Sequence, residues 1–347
     1  MLAGCEEGNI INSTVVDSDQ QNVNASNIDL QDDSDNQAVQ IDQVIINISD
    51  SDDDEDTDVN ITDVITEEDE TPVVEDDLEG YRGKLSVSFI DVGYGDSAII
   101  FTPKNGTMVI DGGDDSCGSS LITYIRNKGI FSNIDVMVAT NPGLRRVGGL
   151  DSILFNLNQV TEIYDNGQGS ESPSYYQFHE MAQNKGMFIE INEDTEVKIG
   201  DDENVKVELI VPYKDGYSEN TEENSIVIKM KYNDVTFLFM SECGFECEEK
   251  LEGYDLKADI LKIGKYGSNE STSDKFLDLV DPKVAIISTD IIECNFNDLD
   301  IVEKLEQRGI EVYKTYVHGT IVVDSDGDTF EITTEKEPEV NETEEME

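Results

Sequence analysis

The stretch "FIDVGYGDSAII", Phe89 to Ile100, sets two apolar runs on either side of a glycine-rich turn. Such a pattern reads as strand, tight turn, strand. Its polar residues, Asp91, Asp96 and Ser97, sit at the turn, where side chains can be aimed at a site instead of a core. Upstream, "KLSVSF" completes the first strand. Downstream, "GTMVIDGG" repeats the device, an apolar run closed by Asp111-Gly112-Gly113. "SSLITYIRNKG" then has helical spacing and a glycine stop, and "IDVMVA" follows as a buried strand. The alternation continues with a helix over 149–157, the strand "VTEIYD" and the helix "SYYQFHEMAQNKG". Two short strands around 196–212 precede the hairpin "SIVIKMKYNDVTFLFM", which turns on Asn233-Asp234. A helix over 243–252, the strand "ADILKI", a helix over 272–280, the strand "VAIIST", a helix over 299–308 and the hairpin "GTIVVDSDGDTFEIT" complete it. The pattern predicts one α/β domain over 84–334.

The flanks differ in composition. The chain of 347 residues carries a net charge of -55. Residues 1–80 hold 25 Asp or Glu and no Lys or Arg. Their few large apolar residues do not offset the entropy of ordering, so 6–83 is expected to be a disordered acidic tether. As a flexible coil it would reach about 45–55 Å. Residues 335–347, "EKEPEVNETEEME", form a second acidic tail. Charge of this sign opposes nucleic acid and anionic membrane surfaces as partners. Apart from whatever precedes Cys5, no stretch approaches the ~20 apolar residues of a membrane span.

Four segments in order carry a resemblance. They are "FIDVGYGDSAII", "MVIDGG", "ADILKIGKYGSNESTSDKFLDLVDPKVAIIS" and "LEQRGIEVYKTYVHGTIVV". Together they resemble the metallo-β-lactamase fold, specifically the exported metallo-hydrolase domain of ComEC-type DNA-uptake proteins. The resemblance implies an αββα sandwich whose cleft holds two metal ions on a His-x-His-x-Asp-His motif. In this chain that motif's place is taken by "VATNPGLRRVGG", Val138–Gly149. Asn141 and Gly143 stand at the first two His positions, and Arg145 and Arg146 at the Asp and the last His. The family's Gly-Asp after the central hairpin corresponds to Ser241-Glu242, its His-His to Lys265-Tyr266, and its later His-bearing loop to "ECNFNDLD". Zinc hydrolysis needs several N, O or S donors around an open position. The whole chain has two histidines, His179 and His318, and each reads as a structural residue, in a helix and in a tight turn. The sequence therefore predicts no metal, no cofactor and no catalytic residue, and an ordinary zinc hydrolase is not expected.

The resemblance brings Asp96, Asp111 and Glu242 to the former metal centre, where carboxylates without cations are costly. Arg145, Arg146 and Lys265 stand at former ligand positions and would supply positive charge. Two arrangements follow. In one, these cations close an internal ion-pair network; in the other, Arg145, Arg146, Lys265 and Tyr266 face the cleft and bind an anion. Cys117, Cys243, Cys247 and Cys294 leave disulfides, free thiols and a thiolate metal site all open.

The first residues complete the reading. Leu2-Ala3-Gly4-Cys5 resembles a lipoprotein lipobox, which implies lipidation of Cys5, a signal segment upstream of Met1 and anchorage to the outer face of the cell membrane. Four Asn-x-Ser/Thr sequons in the tether, at Asn12, Asn24, Asn47 and Asn60, agree with export. The expectation is a surface lipoprotein with a catalytically degenerate domain that binds a protein or an anionic ligand. The alternative is an exported phosphodiesterase or nuclease with a rebuilt site.

Overall fold

The computed structural model describes residues 83–93, 95–289 and 298–337, together with the backbone of β1 (Thr14–Val16) and β2 (Asn22–Asn24), which pair antiparallel. Cys5, Cys294, Tyr94, most of the acidic tether and the tail from 338 onward lie outside the described residues.

From residue 83 the chain builds two sheets. The first contains β3 (Leu85–Phe89), β4 (Ala98–Phe101), β5 (Thr107–Ile110), β6 (Asn133–Ala139), β7 (Gln159–Asp165) and β8 (Met187–Glu190), with β16 (Ile321–Ser325) and β17 (Phe330–Thr334) beyond β3. Its order is β17-β16-β3-β4-β5-β6-β7-β8. The second contains β9 (Thr195–Val197), β10 (Val205–Ile210), β11 (Val227–Tyr232), β12 (Val235–Phe239), β13 (Ile260–Lys262), β14 (Val284–Ile287) and β15 (Glu311–Lys314), in the order β15-β14-β13-β12-β11-β10-β9. Each sheet is antiparallel at one end and parallel at the other. Parallel pairing begins at β5–β6 in the first and at β12–β13 in the second.

Strand parity sorts the apolar side chains into layers. Leu85, Val87, Phe89, Ile100, Met108 and Ile110 face the second sheet and join Leu209, Ile228, Phe237, Phe239 and Ile260 in one core. Phe89 and Phe239 stack across the gap at 5.6 Å. The alternate residues Ile99, Phe101, Val109 and Met137 face outward. They are covered by α1 (Gly118–Asn127), α2 (Leu144–Val147), α3 (Leu150–Asn156) and α4 (Pro173–Lys185). The outer face of the second sheet is covered by α5 (Phe245–Lys250), α6 (Asp274–Val280) and α7 (Asp298–Gln307). The layers are helix, sheet, sheet, helix, as the sequence motifs imply.

Three elements were not legible as such. β8 follows α4 directly as a partly buried edge strand. β15, another partly buried edge, lacks a full apolar run. Thr315–His318, read as a turn, forms one helical turn, α8, in which His318 Nδ1 accepts a hydrogen bond from Lys314 N (3.0 Å). His179 packs edge-on against Phe188 within α4's sheet-facing contacts, at 4.9 Å. Both histidines thus have structural surroundings.

Candidate functional site: a buried arginine among carboxylates

The site lies where both sheets change from antiparallel to parallel, at the carboxyl ends of β5, β6, β12 and β13, the location open α/β sheets use for ligands. Close backbone approach builds it. A Cβ on Gly112 would meet Leu150 N at 2.7 Å, and one on Gly149 would meet Gly112 O at 2.3 Å. The glycines therefore let the loop after β5 press against the turn between α2 and α3. Among the described residues, eight non-glycine residues have positive φ, and Asp111, Ser241, Lys265 and Tyr266 are four of them. Non-glycine backbone in this region costs about 1–3 kcal/mol per residue and gathers at functional sites. Half of the strained non-glycine positions thus gather at this one point.

Arg146 occupies their centre. It is fully buried, the largest side chain with essentially no exposure. Its Nη1 pairs with Asp96 Oδ2 and lies 3.6 Å from Asp111 Oδ2, and its Nε donates to Glu242 Oε1 at 3.2 Å. The guanidinium also lies 4.7 Å from the centroid of the Tyr266 ring, whose hydroxyl donates to Glu242 Oε1 at 2.5 Å. One planar cation thus engages the three carboxylates brought to this point, a geometry a guanidinium satisfies better than an ammonium.

The second cation is Lys262, not Lys265. Lys262, the last residue of β13, places its Nζ 2.5 Å from Asp96 Oδ1. Burial first, and then the Arg146 charge, pull its ammonium well below the usual lysine range. Lys265 turns away on its left-handed backbone, φ 46°, and pairs with Glu222 (2.9 Å), Glu223 (3.3 Å) and Glu270 (3.4 Å). Burial works against its charge, but these glutamates outweigh it and raise its pKa. Glu223 in turn accepts from Gly244 N and Cys247 N at the start of α5. Arg145 is exposed, close enough to Asp114 for the charges to attract. Asn141 is a loop fastener: its amide donates to Thr221 O (2.9 Å) and accepts from Gly143 N (3.0 Å). Of the four groups proposed to face the cleft and bind an anion, Arg146, Lys265 and Tyr266 are therefore engaged by carboxylates of the chain itself.

Asp111 completes the charge balance. Thr140 donates to both its oxygens, from N (2.8 Å) and from Oγ1 (2.6 Å), and Thr140 Oγ1 contacts Ser241 Oγ at 2.5 Å. Burial, opposed by those hydrogen bonds, pushes Asp111 up to about 8. A protonated Asp111 leaves Arg146 facing the carboxylates of Asp96 and Glu242. Because the folded-state pKa is raised, Asp111 favours the folded state fully below the ordinary Asp range, and this contribution is lost as pH rises toward 8. Asparagine mimics the protonated acid. Stability of the wild type should therefore fall relative to Asp111→Asn between about pH 4 and about pH 8. Parallel profiles in urea unfolding across that range would contradict the assignment.

The cysteines separate. Cys243 and Cys247 are joined by a disulfide, with Cα atoms 5.3 Å apart, which closes the turn just after Glu242. Cys117, counted with the candidate disulfides, is instead a buried free thiol. Burial, then the Asp114 charge, push it up to about 11, so it does not offer the thiolate that a metal requires. A dinuclear metal site does not fit these residues: the His donors are absent, two cations stand among the carboxylates, and no group of three or more His, Cys, Asp or Glu suited to a metal occurs among the described residues. The cavity beside the cluster, lined by Asp96, Asp111, Thr140, Ser241, Lys262 and the Phe89–Phe239 pair, measures about 20 Å³. That is room for one water, not a substrate.

No family model matches the chain. It is 27% identical over 259 residues to ComE operon protein 3 of Bacillus subtilis (strain 168), covering 68% of this chain and 32% of that protein. The chain thus spans about a third of the length of this curated relative. Similar solved structures are metallo-β-lactamase-fold proteins. YhfI from Bacillus subtilis has a TM-score of 0.49 at 10% identity, over 70% of this chain and all of that one. A metallo-β-lactamase from Cronobacter sakazakii has a TM-score of 0.35 at 14% identity, over 50% of this chain and 76% of that one.

Proposed function

We propose that this chain is a surface lipoprotein whose metallo-β-lactamase-like domain has lost catalysis and serves as a binding or accessory module. One observation carries the reading: the fully buried Arg146 guanidinium contacts Asp96, Asp111 and Glu242 together, where a hydrolase of this fold needs its metal ions. A fixed cation there neutralises the carboxylates but supplies no activated water and no exchangeable ligand position. The arginine maintains the scaffold.

The chain segments that flank the cluster carry exposed apolar residues. Leu144, two residues before Arg146, and Phe245, three after Glu242, are each 45% exposed. Exposed apolar side chains so close in sequence to the buried cluster suit a protein partner better than an anion. Purified protein supplied with zinc or manganese should hydrolyse neither a phosphodiester reporter nor DNA above the buffer rate. Metal-dependent turnover abolished by Asp111→Ala would replace this reading with that of an exported hydrolase.

The anchor follows from Leu2-Ala3-Gly4-Cys5 and the acidic segment after it, a pattern that would hold a domain away from anionic headgroups. In the native host the protein should partition into detergent, and Cys5→Ser should move it to the soluble fraction. An unchanged partition would remove the lipid anchor from the account.

A further inference from the structure

We propose that Lys262 and Asp96 condense into an intramolecular isopeptide bond, a self-made covalent cross-link between the two sheets. Lys262 belongs to β13 of the second sheet, and Asp96 to the loop entering β4 of the first. Their side chains are 6% and 9% exposed, and Nζ stands 2.5 Å from Oδ1. Despite this approach the pair is not aligned as a hydrogen bond. Lys262 Nζ donates to Ile263 O at 3.2 Å, and Asp96 Oδ1 is buried without a hydrogen bond. A buried ion pair without that alignment bears the desolvation of both charges with little return. Forming an amide removes both charges.

The surroundings supply each requirement of the reaction. A proton passes from the Lys262 ammonium to the Asp96 carboxylate, giving neutral amine and neutral acid, the forms that a dry site favours. The nitrogen lone pair then forms the bond to Cγ. Negative charge gathers on Oδ2, against which Arg146 Nη1 is placed, a fixed donor where charge develops. Cγ–Oδ1 breaks, and Oδ1 departs as water with the proton already received and a second from the nitrogen. The Asp111 carboxyl lines the same cavity and relays that proton. The cavity of about 20 Å³ has room for the single water released. Phe89, Phe239, Ala98 and Ile110 wall it and keep bulk water from driving the reverse reaction. Ammonium and carboxylate become amide and water, so no oxidant or cofactor enters. Arg146 remains balanced by Glu242.

Peptide mapping of the full chain, after reduction of the Cys243–Cys247 disulfide and denaturation, tests this. The expected result is a branched peptide joining Lys262 to Asp96, about 18 Da lighter than its two linear parts. Lys262→Arg and Asp96→Ala should each restore linear peptides of full mass. Linear, unmodified Lys262 and Asp96 peptides from the wild type would overturn the proposal. So would a water loss that persists in Lys262→Arg, because dehydration at an Asp-Gly pair such as Asp111-Gly112 would then explain it.

Discussion

Arg146→Ala is expected to lower the melting temperature by on the order of 10 °C. The substitution removes the guanidinium that contacts Asp96, Asp111 and Glu242 in the buried centre. Breaking a buried ionic cluster by removing one partner typically costs about 3–5 kcal/mol. In a domain of this size each kcal/mol moves the midpoint by about 2–4 °C. The loss should be larger at alkaline pH, where Asp111 gives up its proton. Arg126→Ala is the control. That arginine is exposed on α1, where its guanidinium donates to Asn156 Oδ1 at 3.2 Å, and its removal should change little. If Arg146→Ala instead melts like the wild type but loses stabilisation by phosphate, Arg146 is an anion-binding residue and the cluster has been misread.

The fold was legible because its punctuation survived. Asp96, Asp111 and their glycines mark strand ends that packing still requires, and the alternation of Leu85, Val87 and Phe89 exposes one inward face. Arg146 was legible through its place in the loop, since a cation at a former ligand position must either fill the centre or face the cleft. Lys262 was missed because "ADILKI" reads as an apolar run. Its signal was parity: Ile260 faces the inter-sheet core and Leu261 the outer layer, so Lys262 must point inward, where a lysine needs carboxylates. Lys265 was misplaced for the opposite reason. Its motif position put it at the centre, but the left-handed backbone at Lys265 and Tyr266 sends the tyrosine toward Glu242 and the lysine toward Glu222 and Glu223. The cysteine pairing was not legible, because loop proximity in sequence does not fix the Cα separation a disulfide needs.

The second large effect concerns metal, and it separates the account from a hydrolase outright. A site binding an ion present at a thousand times its Kd gains about 4 kcal/mol. At about 2–4 °C per kcal/mol, an intact dinuclear centre would raise the midpoint by on the order of 10 °C. Here the Arg146 guanidinium stands among the carboxylates, and a divalent ion could enter only against its charge. Added zinc or manganese should therefore leave the melting temperature unchanged, and a chelator should not lower it. The central claim, that a guanidinium has taken the place of the metals, is tested most directly by elemental mass spectrometry of protein purified without chelator. The account predicts zinc and manganese well below one equivalent per chain; two tightly held ions per chain would contradict it.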